Sequence, residues 1–239
     1  MNQQPSPATD IPVLRELIAS ATCVLFDFDG PLARLFHGLP APVVADVLKQ
    51  RLREWNGLKK TLEHCENPLQ VVREHADHDR VRELEILLAE QELEATSSAE
   101  PTPYADELVR LLDSQGRKVA ITTNNSESAV SNYLRLHGLA KPFGPHVHGR
   151  PADTALMKPH PYILERALES TGVSAADCLM IGDSPDDFLA AKQAGVTFLG
   201  FITMGQKGKK GDQEAQLRDA GARYVVGSLE PLYSAALGA

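Results

Sequence analysis

Cysteine is scarce in this chain: Cys23, Cys65 and Cys178 are the only thiols among 239 residues. Their spacing has neither the pairing of a disulfide framework nor the close pattern of a zinc site. Cys23 and Cys178 each flank an apolar run and are expected to act as small core residues in a reducing cytoplasm. Positive charge is also short. Lys and Arg number 24 against 32 Asp and Glu, a net charge of -8. That balance argues against a nonspecific binder of nucleic acid or of an anionic membrane. The only basic cluster, Lys207, Lys209 and Lys210, sits among glycines and reads as a solvated loop. No apolar run approaches the length of a membrane span. The first ten residues, MNQQPSPATD, lack the basic-then-apolar order of a secretory signal.

The remaining composition, 43% hydrophobic and 23% charged, is that of a globular protein. The length allows one large domain, or a medium domain carrying a smaller one. Apolar spacing predicts a helix over 11–20 and a strand over 22–28. Residues 35–99 then change character. Val43, Val44, Val47, Leu48, Leu52 and Trp55 mark one helical face closed by Asn56-Gly57, and two further helical pieces surround 69–74 and 79–94. A stretch of about 65 residues buries too little surface to stand alone. It is expected to be a small helical insert, with Thr96 to Pro101 as a hinge. From 105 onward strands alternate with helices, which predicts a parallel sheet covered on both faces. The predicted strands lie near 118–122, 146–148, 178–181, 196–199 and 223–226. The predicted architecture is therefore a doubly wound, Rossmann-like α/β core, residues 1–34 and 100–239, carrying an α-helical cap over 35–99.

Ligands of such sheets bind outside the carboxyl ends of the strands. Four clusters fall at strand ends or in a loop near them. The first strand ends in Asp27-Phe28-Asp29-Gly30, and alternate strand residues share a side, so two carboxylates reach one point. Two like charges that close need a cation or a shared proton. The second strand runs into Thr123-Asn124, a loop carries Lys158-Pro159, and another strand enters Gly182-Asp183-Ser184-Pro185-Asp186-Asp187. Each has a plain structural reading, as a turn, a helix cap or a solvated side chain. Acid pair, hydroxyl and amide, lysine and acid pair in that order form a much more specific pattern.

With these four motifs the sequence resembles the haloacid dehalogenase-like superfamily, in the phosphatase branch that carries a helical cap between the first two motifs and includes phosphoglycolate phosphatases. The resemblance implies Asp27 as nucleophile, Asp29 as general acid and base, and Lys158 as the group that neutralises phosphoryl charge. It implies that Thr123 and the adjacent Asn124 amide bind phosphoryl oxygens. Mg²⁺ would be held by the Asp27 side chain, the Asp29 main-chain carbonyl and the Asp183 side chain. Asp187 would stand behind them, orienting water or Lys158. A carboxylate at Asp29 favours phosphate esters over carbon–halogen bonds, because a departing halide needs no acid. The implied activity is Mg²⁺-dependent hydrolysis of a small phosphorylated metabolite through an aspartyl-phosphate, with no protein partner inferred. A phosphoglucomutase-type phosphotransferase or a silent phosphate-binding protein are the alternatives. The chain departs from the family pattern at Pro31, where Thr or Val is usual; proline removes a backbone N–H and the hydroxyl.

Arg34, Phe36 and His37 lie near the expected hinge, as candidates for touching substrate or simply for packing the hinge. Gly200 and Gly205 have the spacing of a phosphate-binding loop, but the lysine and hydroxyl that should follow are missing. His75 and His78 among acids read as an exposed helix face rather than a zinc site, and His146 and His148 as surface or packing residues.

Overall fold

The structure is a computed structural model describing residues 9–203 and 210–238. The polar leader up to residue 8, Gly205, Lys207 and Lys209 lie outside those residues. Ile11–Ser20 forms α1, Cys23–Phe26 β1, Ala33–Arg34 β2, Ala41–Glu54 α2, Pro68–Arg73 α3, Val81–Ala95 α4 and Glu100–Pro101 β3. Ala105–Ser114 (α5), Lys118–Thr122 (β4), Glu127–Leu136 (α6), Ala140–Phe143 (α7), Val147–His148 (β5), Tyr162–Thr171 (α8) and Cys178–Gly182 (β6) follow. Pro185–Ala194 (α9), Thr197–Phe201 (β7), Lys210–Ala220 (α10), Tyr224–Val226 (β8) and Glu230–Leu237 (α11) complete the order.

Six strands make one parallel sheet in the order β5-β4-β1-β6-β7-β8. The chain builds outward from β1 through β4 to β5, then crosses back to β6 and proceeds the other way. The reversal lies between β1 and β6, which pair in register from Cys23 with Cys178 to Phe26 with Ile181. A crevice at the carboxyl ends of two such strands is where α/β sheets hold ligands.

Strand alternation divides the core. Val24 and Phe26 belong to the layer packed with α1, α5, α6 and α11, through Leu14, Leu108, Tyr133 and Leu232. Cys23 and Leu25 belong to the opposite layer, with α8, α9 and α10 contributing Leu164, Ala190 and Leu217. Cys23 and Cys178 are both buried core residues, as their apolar neighbours predict. Burial on both faces is why these strands read as continuous apolar runs. Among the described residues, no helix is long and apolar enough to cross a membrane.

Between β1 and β4 the chain leaves and returns through a two-stranded antiparallel ribbon, in which Ala33 faces Pro101 and Arg34 faces Glu100. The intervening helices share their own core of Val44, Ala45, Leu48, Leu52, Val71, Val72, Leu84 and Leu88. Val43, expected in that stripe, is exposed, because the buried face of α2 is rotated onto Ala45. The Ser/Thr-rich stretch after α4 is not an open linker. Thr96 is buried, its hydroxyl donates to the Leu93 carbonyl, and Asn132 on α6 donates to it at 2.6 Å.

Three local expectations change. The first strand stops at Phe26 rather than Phe28, although Asp27 N still bonds the Ile181 carbonyl at 2.9 Å. Lys210 opens α10 instead of belonging to a loop. The four-residue α7 was not predicted, being too short to show a period.

His146 and His148 are packing residues. Both reach the Ser170 hydroxyl, at 3.1 and 2.8 Å. Burial, with lesser contributions from Arg166 and His146, pushes the His148 ring down to about 4. A histidine kept neutral in the fold protonates first in the unfolded chain, whose value is near 6.5. Its contribution is therefore complete above about pH 6.5 and is lost as pH falls towards 4. His148→Gln is expected to flatten the acid-side loss of thermal stability, read as a gap in melting temperature from wild type that shrinks between pH 7 and 4.5.

Candidate active site

The carboxyl edge at β1 and β6 carries more negative charge than positive. Lys158, almost fully buried, donates from Nζ to Asp27 Oδ1 at 2.8 Å, to the Thr122 carbonyl at 2.8 Å and to Asp187 Oδ1. Oxygen atoms of Asp27, Asp183 and Asp187 lie within 4.8 Å of one another. One ammonium among three carboxylates leaves a surplus, and the titration of Asp27, Asp183 and Lys158 reflects it. Burial pushes Asp27 up to about 6 against the pull of Lys158, with Asp187 adding to the rise. Burial and then Asp27, Asp187 and Asp29 push Asp183 well above the usual carboxylate range. Burial favours neutral Lys158, yet Asp187 and Asp27 outweigh it and hold the ammonium above its ordinary value.

Asp187 is consumed by the fold. Its Oδ2 accepts from Asp183 N at 3.1 Å, Ser184 N at 3.0 Å and the Ser184 hydroxyl at 2.7 Å. This is a capping box: Ser184 caps α9 and Asp187, at its third position, reaches back to the cap. One carboxylate thus starts a helix with one oxygen and anchors Lys158 with the other.

Asp29 lies past the end of β1, so the alternation of a strand does not aim it. The chain bends at Phe28, whose ring enters the core against Tyr133, and Asp29 Oδ1 accepts from Leu35 N at 2.9 Å. Burial, lowered by that bond and raised by Asp27, pushes Asp29 up to about 7. The turn that follows is closed by Gly30 N to the Ala33 carbonyl at 2.7 Å and Ala33 N to Phe28 O at 2.9 Å. Neither bond uses residue 31 as donor, which is why Pro31 fits here with the charged groups undisturbed. Gly30 is required twice. Its φ is +116°, and an added Cβ would stand 2.4 Å from Asp183 Oδ2.

Asp183 is steadied by residues the sequence did not single out. Thr203 Oγ1 donates to its Oδ2 at 2.9 Å, and Gln213 Nε2 donates to its main-chain carbonyl at 2.9 Å. The donor set here is oxygen alone, clustered and short of positive charge, which suits a hard cation such as Mg²⁺.

On the β4 side, the Thr123 hydroxyl pairs with Asn125, and the Asn124 side chain grips the Lys158 backbone. Lys158 N donates to Asn124 Oδ1 at 3.0 Å and Asn124 Nδ2 donates to Lys158 O at 3.2 Å. The side chain of Asn124 is thus committed to the lysine, leaving its main-chain N–H for any phosphoryl group. The insert enters here through Glu92 on α4. Its carboxylate takes a bidentate pair from Arg150 at 2.8 and 3.1 Å, Asn125 Nδ2 at 3.1 Å and Ser126 N at 2.8 Å. Glu92 and Arg150 carried no sequence signal. A lone Glu in a charged helix looks solvated until its partner is known.

Arg34 and His37 both reach Glu100 across the ribbon, His37 Nε2 at 3.1 Å from its Oε1. Phe36 packs between the core and the insert. All three stand at the root of the insert and do not join the carboxylate cluster. His75 uses both ring nitrogens on backbone, Nδ1 with Val71 O at 2.8 Å and Nε2 with Gly57 O at 3.1 Å. It has nothing left for a metal.

A doubly wound sheet with a lysine and acidic pairs gathered at its switch point has the layout of an enzyme. The sequence model of the haloacid dehalogenase-like hydrolases matches residues 21–195. A phosphoglycolate phosphatase of Rhodospirillum rubrum is 32% identical over 186 residues, covering 72% of this chain and 76% of that protein. A phosphoglycolate phosphatase of Neisseria meningitidis is 33% identical over 135 residues, 56% of this chain; the chain spans only 54% of that relative's length. Among solved structures, a HAD family hydrolase from Deinococcus radiodurans with bound phosphate and sodium superposes with a TM-score of 0.62 at 26% identity, covering 90% of this chain and 94% of that one. The chain belongs to the haloacid dehalogenase-like hydrolase family.

The charge surplus predicts opposite effects on stability in metal-free buffer. Lys158→Met leaves buried carboxylates uncompensated and is expected to cost about 3–5 kcal/mol. Asp183→Asn relieves like-charge repulsion and is expected to raise the urea midpoint in EDTA. Denaturation curves of both variants beside wild type read the two signs directly.

Proposed function

We propose that the protein is a Mg²⁺-dependent phosphatase acting on a small phosphorylated metabolite through an aspartyl-phosphate. The observation that carries this reading is the convergence of Lys158 and the Asp183–Asp187 turn on Asp27, with Thr122 also holding the lysine and Asp29 as a second carboxyl group nearby. The phosphate bound in the Deinococcus structure and the names of the curated relatives support the same chemistry.

In this reading Asp27 attacks phosphorus, forming a P–O bond as the ester P–O bond breaks. Asp29 gives its proton to the departing alkoxide. In the second half, Asp29 takes a proton from water, whose oxygen attacks phosphorus and frees inorganic phosphate and the Asp27 carboxylate. A value for Asp29 raised towards neutrality suits a group that must give and then take a proton. Lys158 offsets charge on the phosphoryl oxygens while keeping Asp27 correctly turned. Thr123 exchanges its bond to Asn125 for a phosphoryl oxygen, and the Asn124 N–H supplies another donor. Asp27, the Asp29 carbonyl and Asp183 would hold Mg²⁺, which when bound offsets the carboxylate charge and polarises the phosphoryl group. Asp187 keeps Lys158 and the Asp183 turn in place. The helical insert, residues 35–99, acts as a cap over the site, with Arg34 and His37 at its hinge. Free thiols at Cys23, Cys65 and Cys178 suit a cytoplasmic setting.

Phosphate release from a panel of phosphoglycolate, sugar phosphates and nucleoside monophosphates tests the reading. Turnover of at least one compound is expected with Mg²⁺, lost on chelation and restored by adding the ion. Asp27→Asn is expected to abolish it, and Asp29→Asn to lower kcat by about 10²–10⁴. Isomerised sugar phosphate with little free phosphate would instead identify a phosphotransferase. No release from any compound above the Asp27→Asn background refutes hydrolysis.

A further inference from the structure

The cap touches the segment that carries Lys158 from two sides, and the two contacts differ in kind. On one side stands Arg73, the last residue of α3. Its guanidinium donates from Nη2 to the Lys158 carbonyl oxygen and from Nη1 to Asp186 Oδ2 at 2.8 Å. Asp186 adjoins Asp187, the carboxylate that anchors Lys158 Nζ. A single planar fork thus spans the backbone that carries the ammonium and the turn that holds it. Lysine cannot copy this, since its one nitrogen is a point charge without a rigid fork. Arg73 and Asp186 are each about one-third exposed, at 31% and 37% of their side-chain surface. Water reaches this pair and screens it, so it costs little to part.

On the other side stands Glu92, whose four bonds were described above. Arg150, its partner, also donates to the Asn124 carbonyl at 3.0 Å, and Asn124 grips the Lys158 backbone. Here both side chains are buried, at 2% and 5% exposure, and every carboxylate oxygen is bonded twice. Removing such a pair from its partners strands a charge away from water. This contact is a fixed point. One flank of the insert is thus held as a pivot would be, by a buried and fully bonded pair, and the other by a latch that is open to water.

We propose that Arg73 is a positioning residue for Lys158: the cap's latch and the correct setting of the lysine form together, with Glu92 and Arg150 as the pivot. The inference rests on the phosphatase reading for its kinetic consequence, because a lysine held by the core but brought to its final setting by Arg73 delays full charge neutralisation until the site is covered. Substrate then meets a competent lysine only behind a shut lid. This differs from a specificity role. Arg73 engages the Lys158 carbonyl and the Asp186 carboxylate, and so acts on the phosphoryl step whatever alcohol is attached.

The test compares wild type with Arg73→Ala and Arg73→Lys in Mg²⁺, using one aryl and one alkyl phosphate monoester that wild type hydrolyses. Both variants are expected to lose about 10- to 100-fold in kcat, by the same factor for both esters and with KM changed less than about threefold. Guanidinium ion is expected to restore part of the kcat of Arg73→Ala and none to Arg73→Lys or wild type. A loss that differs between the esters would make Arg73 a substrate contact and overturn the proposal. So would an unchanged kcat, or a loss that guanidinium leaves untouched. A second readout is independent of turnover: acylation of the Lys158 amine by acetic anhydride, followed by mass spectrometry. It is expected to quicken several-fold in Arg73→Ala, and an unchanged rate refutes the coupling. If wild type hydrolyses no ester but labelling quickens, the phosphatase reading fails and the coupling stands.

Discussion

Everything at the carboxyl edge of this sheet depends on one imbalance: three acidic side chains gathered around one buried ammonium. Such a cluster is held against its own repulsion by the surrounding fold, and the surrounding groups are the ones that make it possible. The Asp187 capping box draws on the start of a helix, Asp183 on Thr203 and Gln213, and Asp27 on Lys158. In the proposed reading, a site arranged in this way is prepared for a cation and an anionic ligand before either arrives. Preorganised charge is worth more in a water-poor crevice than the same groups in solvent.

The sheet topology explains why these residues come from such distant parts of the chain. Parallel strands end on the same edge, so residues that each follow a strand meet there at no cost in special loops. The reversal between β1 and β6 opens the crevice in which Asp27 and Asp183 approach. Short-range order does the remaining work. Gly30 leaves room that no side chain would, and Ser126 and Ser184 start the helices whose first turns border the crevice.

The strands, the main helices and the meeting of Asp27, Lys158 and Asp183 were legible because each follows a local rule: buried parallel strands are continuous apolar runs, and the polar residues that follow them lie at their carboxyl ends. What was not legible is long-range. Glu92 and Arg150 are 58 positions apart, and Arg73 and Asp186 are 113 apart. Nothing in the pattern around any of the four announces its partner. Asp29 shows a subtler gap. Alternation along a strand predicted that its carboxyl group would meet that of Asp27, but the chain bends at Phe28, and the Leu35 N–H aims the group outside the cluster of Asp27, Asp183 and Asp187. Pro31, which looked like a departure, occupies a turn position that donates nothing in the bonds closing it.

The ribbon of Ala33–Arg34 with Glu100–Pro101 has a wider consequence. Because the outgoing and returning strands are hydrogen-bonded neighbours, the sheet sees only a closed doorway, whatever lies beyond it. The helices beyond it thus hang from one hydrogen-bonded root, apart from the strand ends that carry the carboxylates.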